Sequence, residues 1–450
     1  MHRIPAAAHR GYHRQRGQAL IYGLFMLLCG LVALFFVFNT GQLTAEKTRL
    51  INTADAVAYS AGVLHARALN FDAYTNRALM ANEVMTAQTV SVASWVEYAK
   101  GHVDDVPPLN CYQVVYSVPF WLGLAEYLPL CTALSWPPGA MAVEYANQAV
   151  QPVAEVAVRA SEAARQHLQL AQTVMFAALP LARSNLMEEV ANANYQGEGP
   201  VKVDLLPLTD NWLLFDGGPF IARRSGNERA RFREAALSAA QLDAFVKQRS
   251  WDSHTPWPCI LAPRGDAERN GGTVLQGYDD WKASDRAGLT VESWHIKMFS
   301  MGCETDAQYP LGQGSQSAAD WGYSGMPSFY ELSEKVLQYT PSNGDSKKRD
   351  PRLKFAIRLT RDAKAQSTSG GTSGIRPSGQ MAIYEGKQSG QLMAAVASSE
   401  VFFERPPMSA RKDGREELAS LFNPYWQVHL IGNSTADVAA AALLQKGGTP

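Results

Sequence analysis

Residues 16–62 read RGQALIYGLFMLLCGLVALFFVFNTGQLTAEKTRLINTADAVAYSAG, a stretch that begins in side chains suited to hydrocarbon and ends in side chains suited to water. No proline separates the two parts. Ala19 to Asn39 carries no charge, and at ~1.5 Å per residue it reaches ~30 Å, the thickness of a bilayer's hydrocarbon core. A secretory signal would have a shorter apolar region, about 7 to 15 residues, followed by a small-residue cleavage site. Phe-Val-Phe-Asn-Thr follows instead, so the segment reads as an uncleaved anchor in the lipid bilayer.

Charge orients that anchor. Arg3, Arg10, Arg14 and Arg16 precede it, and the first acid is Glu46. The positive-inside bias then puts the N-terminus in the cytoplasm and the bulk of the chain outside, in a single pass. Removing those four arginines from the 41 basic residues leaves 37 against 42 acidic, a balance of −5. Nucleic acid is excluded as a partner, because phosphate affinity needs clustered Lys and Arg on a folded face. With 450 residues, 46% hydrophobic and 18% charged, the chain has the composition of a folded protein.

Cys29 lies within the span, leaving Cys111, Cys131, Cys259 and Cys303 for a compartment in which disulfides persist. Four cysteines allow three connectivities. Closeness in the chain favours Cys111 with Cys131 and Cys259 with Cys303; four unpaired buried thiols are the alternative.

Beyond the span, Leu43, Leu50, Val57, Leu64, Phe71, Ala78, Met85, Val92 and Ala99 recur every seven residues, with Ala54, Ala61 and Ala68 beside them. If helical throughout, Leu43 to Ala99 makes a rod of ~85 Å, and Gly62 or Asn70 is where it would break. The stripe suits an intramolecular hairpin better than an intermolecular coiled coil, although a homo-oligomer through the 43–99 helix is a possible use of it. Ala140 to Asn194 turns Ala-rich and helical again, with Pro152 and Pro180 as points of kinking or restart. Asn227 to Lys247 gives one more amphipathic helix. The second half alternates: Val291 to Phe299, Lys354 to Thr360, Gln380 to Tyr384, Ala394 to Phe403 and Tyr425 to Ile431 read as strands, with a helix around Phe329 to Tyr339. The fold class is therefore α+β: a transmembrane helix continuing into a long helical stalk, then a mostly antiparallel β head. The divisions are a basic tail at 1–18, the span at 19–39, a helical stalk at 40–250 and a β-rich head at 251–450.

No HExxH, Walker-type, GxGxxG or GxSxG motif occurs. Cys259, Cys303, His254 and His295 match no zinc spacing and read as a disulfide with two ordinary histidines. Asp279 with Asp280, and Glu416 with Glu417, sit beside turn residues and read as solvated surface. The ten tryptophans suit the core of an exported domain at least as well as a carbohydrate-binding face.

Arg16-Gly17, the span, Gly41, Leu43, Lys47, Leu50 and the run Asn52-Thr53-Ala54-Asp55-Ala56 resemble the N-terminal segment of TadG-like proteins of the Tad (Flp) pilus-assembly system. Ser399 to Pro406 (SEVFFERP) and Glu417 to Leu430 (ELASLFNPYWQVHL) look like C-terminal segments of TadG-like and TadE-like proteins. The resemblance implies a non-catalytic component of a pilus or secretion apparatus in a bacterial inner membrane. It faces the periplasm, has pilus-assembly proteins or pseudopilins as partners and uses no cofactor. Gly17, Leu43, Asn52, Ala54 and Asp55 are the motif positions. No D-x-S-x-S sequence is present, so the metal site of family members with a von Willebrand A domain is not carried over. TadE-like pseudopilins have a Glu five residues after a cleaved Gly; counted from Gln18, that place holds Tyr22. The alternatives are a minor pseudopilin cleaved after Gly17 and built into the fibre, and a membrane-tethered periplasmic hydrolase.

Overall fold

The computed structural model describes residues 18–105, 137–196, 199–254, 257–261, 263–297, 300–338, 350–362, 392–406 and 417–447. Gly17, Cys111, Cys131 and the expected strand at Gln380 to Tyr384 lie outside them.

Helix α1 spans Gln18–Asp105 without interruption, ~132 Å of rod at ~1.5 Å per residue. Neither Gly62 nor Asn70 breaks it. At the point where the apolar segment gives way, the hydroxyls of Thr40, Thr44 and Thr48 donate back to the carbonyls of Phe36, Thr40 and Thr44 at 2.8 to 2.9 Å, so the side chains satisfy themselves on the helix. Helix α2, Pro137–Ala193, contains Pro152 and Pro180 within its length and runs back along α1. Thr86 meets Ser161, Asn76 meets Gln172 and His65 meets Arg183, pairs whose numbers rise on one helix as they fall on the other.

The seven-residue stripe holds at Leu50 and Val57, both fully buried, then drifts: Phe71 and Met85 are exposed. A straight α-helix turns ~20° per heptad away from a 3.5-residue repeat. The buried line instead follows Leu50, Ala54, Val57, Ala61, His65, Leu69, Asp72, Asn76, Leu79 and Glu83, the spacing of an ordinary helix packed on its own chain.

All sheets are antiparallel. Strand β9 (Leu353–Asp362) is central to a five-stranded sheet, flanked on one side by β1 (Lys202–Val203) and β2 (Thr209–Asp210) and on the other by β10 (Leu392–Phe403) and then β11 (Trp426–Ile431). Strand β3 (Ile221–Arg224) pairs with β8 (Phe329–Leu332). Strands β4 (Arg249–His254), β5 (Arg264–Gln276), β6 (Asp280–Lys297) and β7 (Ser300–Ser317) form a meander. Three buried clusters string along α1: Leu50 to Ala61 with Met187 and Phe355, Ala66 to Leu69 with Trp212 and Trp426, and Leu79 to Ala93 with Phe232 and Trp281. The sheets thus pack along the length of the rod.

Several expectations need correction. Asn227 to Lys247 shortens to helix α3, Ala230–Ala240. The helix expected around Phe329 to Tyr339 begins instead as strand β8, with all four residues buried, and only Glu334–Gln338 (α4) is helical. Asp280 is buried, accepting from the Ser317 hydroxyl at 2.6 Å and the Ala319 amide at 2.9 Å. A final helix, α5 (Thr435–Gly447), follows β11.

Candidate functional site

The first functional feature is the apolar end of α1. Its most apolar window has a mean hydropathy of 2.7 and no buried residue; Leu20, Leu27, Leu34 and Val37 are each about two-thirds or more exposed. Soluble surfaces rarely leave apolar side chains on every side of a helix. This segment is a candidate membrane span, and the rest of the same helix is the spine of the folded body.

Motif positions divide between inside and outside. Ala54 is fully buried beside Met187 and Ala191, Leu43 is half-buried, and Asn52 is exposed. Asp55 is half-buried, and desolvation raises its proton affinity. Ala54 admits α2 closely; a larger side chain there would hold the helices apart. Just below, nearer the apolar segment, Arg361 pairs with Glu46 and lies 4.2 Å over the Tyr195 ring, while Arg49 covers the same ring at 4.3 Å.

Higher on α1, polar side chains grip the segment at 417–431. Asn70 donates to the Trp426 carbonyl and accepts from the Trp426 amide, both at 3.0 Å. Asn76 donates to the carbonyls of Leu421 at 2.7 Å and Tyr330 at 2.8 Å, and Arg77 donates to the Phe422 carbonyl at 2.6 Å. The Leu421, Tyr330 and Trp426 groups are backbone atoms at a turn and at strand ends or edges that would otherwise lack a partner, and a buried orphan of this kind costs roughly 1–3 kcal/mol. Close approach needs glycine: a Cβ on Gly62 would stand 2.5 Å from Val428 Cγ2, and one on Gly314 would stand 2.6 Å from the Tyr98 amide nitrogen.

Ionisable groups continue the buried line. His65 accepts from Arg183 at 3.0 Å, stacks on Trp212 and is driven down to about 3 by desolvation and then by Arg183, so it is neutral. Arg183 also pairs with Asp210 at 2.5 Å. Glu83 accepts from Trp281 at 2.9 Å and from the Tyr323 hydroxyl at 2.6 Å, with Arg165 at 3.8 Å, and burial raises its proton affinity. Asp285 is fully satisfied by Arg249, Arg269 and the Ser94 hydroxyl at 2.7, 3.1 and 3.0 Å. Asp72 differs. Its side chain has no exposure, neither carboxylate oxygen has a hydrogen-bond partner, and desolvation together with the nearby Glu331 raises it to about 8. Glu331 itself accepts from the amides of Leu332 and Leu421 through one oxygen, leaves the other unpaired, and is raised by burial.

Cys259 and Cys303 are joined, with Cα atoms 5.9 Å apart. His295 contacts Asp306 at 2.6 Å. Among the described residues no cluster of three or more His, Cys, Asp or Glu is placed to hold a metal ion.

Sequence reasoning missed the clasp and the buried ionisable line. A signal existed, since His65, Asp72, Asn76 and Glu83 fall at i, i+7, i+11 and i+18, one face of a helix. That face was read as apolar by its leucines and alanines alone.

Residues 17–68 match the family model of putative Flp pilus-assembly TadE/G-like proteins. The matched region covers the apolar segment, Ala54 and the lower part of α1 up to Ala68. No curated protein and no solved structure matches the chain.

Proposed function

We infer that the protein is a single-pass, non-catalytic component of a Tad/Flp-type pilus-assembly or secretion apparatus, held in the bacterial inner membrane with its folded bulk in the periplasm. Its partners in this reading are the bilayer and other pilus-assembly proteins. Residues 1–18 stay in the cytoplasm, where Arg3, Arg10, Arg14 and Arg16 favour retention, and 19–39 cross the membrane.

One observation carries the reading: the helix that begins as an exposed apolar rod, and whose first half matches the TadE/G-like model, is the same uninterrupted helix on which the three buried clusters among the described residues are built. Force applied to the body is transmitted to the anchor through a continuous hydrogen-bonded backbone. Withdrawing about twenty apolar side chains into water opposes extraction at ~25 cal/mol per Å². Asp72, Glu83, His65 and Glu331 are sealed beneath the surface and line none of the described open grooves, which supports a mechanical role over a hydrolytic one.

Alkaline phosphatase, active only after export, tests the topology when fused to the C-terminus. Activity with carbonate-resistant membrane association is the expected result. An inactive fusion beside an active cytosolic reporter at the same position would overturn the topology and the function with it.

A further inference from the structure

Helix α2 carries apolar side chains on two faces, and among the described residues the chain covers one of them. Val158, Arg165, Gln172 and Leu179, seven residues apart, point inward and are buried. On the opposite side Val153, Ala160, His167, Val174 and Leu181 recur every seven residues, and Val156, Ala163, Leu170 and Ala177 follow each by three. All nine are exposed; the larger ones, Val153, Val156, Leu170, Val174 and Leu181, are 55 to 68% exposed. This is an a/d heptad seam four repeats long, with the buried residues at f. A strict 3.5-residue repeat keeps facing a neighbour only if that neighbour is another helix wound about it at a shallow left-handed angle.

We propose that the occupant is a second copy of this chain, its α2 parallel to the first and in register, in a two-fold dimer standing on the membrane. Three features favour a copy over a different helix. The seam runs opposite the part of α1 between residues 67 and 93, about 40 to 80 Å from the end of the apolar segment, and a shared bilayer holds two copies at one height and in one direction. Identical positions then meet.

The flanking positions also suit self-pairing. The e sites are Ala157, Ala164, Ala171 and Ala178, and the g sites Arg159, Gln166, Thr173 and Pro180, so each g side chain faces a partner alanine and no like charges oppose. Alanine at e lets the two helices approach closely. His167, at the central a site, faces its own copy, and a lone polar residue there fixes register at some cost in stability.

Size sets the conditions. The seam is ~42 Å long and about 10 Å wide, a strip smaller than the ~800 Å² per partner of a standard interface. Pairing therefore depends on confinement to one membrane, which raises the effective concentration of the second copy.

Cysteine crosslinking in membranes from cells making the full chain tests this. With Cys29, Cys111 and Cys131 replaced by Ser, Val174→Cys and Val153→Cys are each oxidised by copper phenanthroline. A disulfide-linked species of twice the chain's mass is expected from both, and none from Leu205→Cys, which is 86% exposed on a loop outside α2. Adding Leu170→Glu and Val174→Glu to the Val153→Cys chain is expected to abolish the species while leaving the amount of membrane-bound chain unchanged. A chain that stays monomeric at both positions would overturn the proposal, as would an adduct of a different mass, which would assign the seam to another protein.

Discussion

Asp72→Asn isolates the cost of the unpaired buried carboxyl. In the folded chain Asp72 has no exposure and holds its proton up to about 8, against ~3.9 when unfolded. A raised carboxyl affinity means that the folded state binds the proton more tightly. Its contribution is fully present below pH ~4 and is lost progressively as pH rises toward 8. At 1.36 kcal/mol per pH unit, the loss reaches about 4 kcal/mol at pH 7. Asparagine removes the ionisation and with it the repulsion from the nearby Glu331 carboxyl. Denaturant unfolding of the detergent-solubilised full chain, followed by circular dichroism from pH 4 to 8.5, measures the difference. The two proteins are expected to be similar at pH 4. Wild type should weaken steadily above it, with the variant more stable by an amount that grows with pH. An identical pH slope in both, or a variant weaker than wild type at pH 8, would refute the reasoning, since either would mean that Asp72 is ionised and well held in the folded state.

Gly314→Ala drives a methyl into backbone atoms of α1, the Ser94 carbonyl and the Tyr98 amide; a loss of ~2 kcal/mol or more is expected, read as increased protease sensitivity of the 300–317 strand. Asn70→Ala removes both bonds to the Trp426 backbone and leaves two interior groups unpaired, costing about 2 kcal/mol. Hydrogen exchange should then accelerate at 421–430 and not at the distant meander. Leu28→Arg together with Leu31→Arg puts two charges into the apolar segment at ~2.5–3.5 kcal/mol each near a helix centre, and carbonate washing is expected to release the chain.

The apolar run and its missing prolines made the candidate membrane span legible, because such a span is read from length and composition within one segment. The pairing of Cys259 with Cys303 also followed from nearness in the chain. Strand readings at Lys354 to Thr360, Ala394 to Phe403 and Tyr425 to Ile431 match β9, β10 and β11, the first and last through alternation of apolar residues. Strands β5 and β7 did not. Apart from Leu275 and Leu311, many of their inward positions are small: Gly265 and Ala267 in β5, and Gly312 and Gly314 in β7. A sheet pressed against a helix backbone selects for little volume, which leaves almost no hydrophobic signal.

What the sequence by itself determined is therefore what single segments decide: a charged-then-apolar start, a long helical segment after it and strands of the central sheet, whereas the continuity of the helix through Gly62 and Asn70 came from the structure. Tertiary structure decided which face of that helix is inside and which polar side chains are sealed with it. The seven-residue spacing and the true buried line diverge by only ~20° per heptad, too little to separate over one or two turns. Once α2 and three sheets settle along ~90 Å of rod, that small angle has exposed Phe71 and Met85 and carried Asp72 into the core.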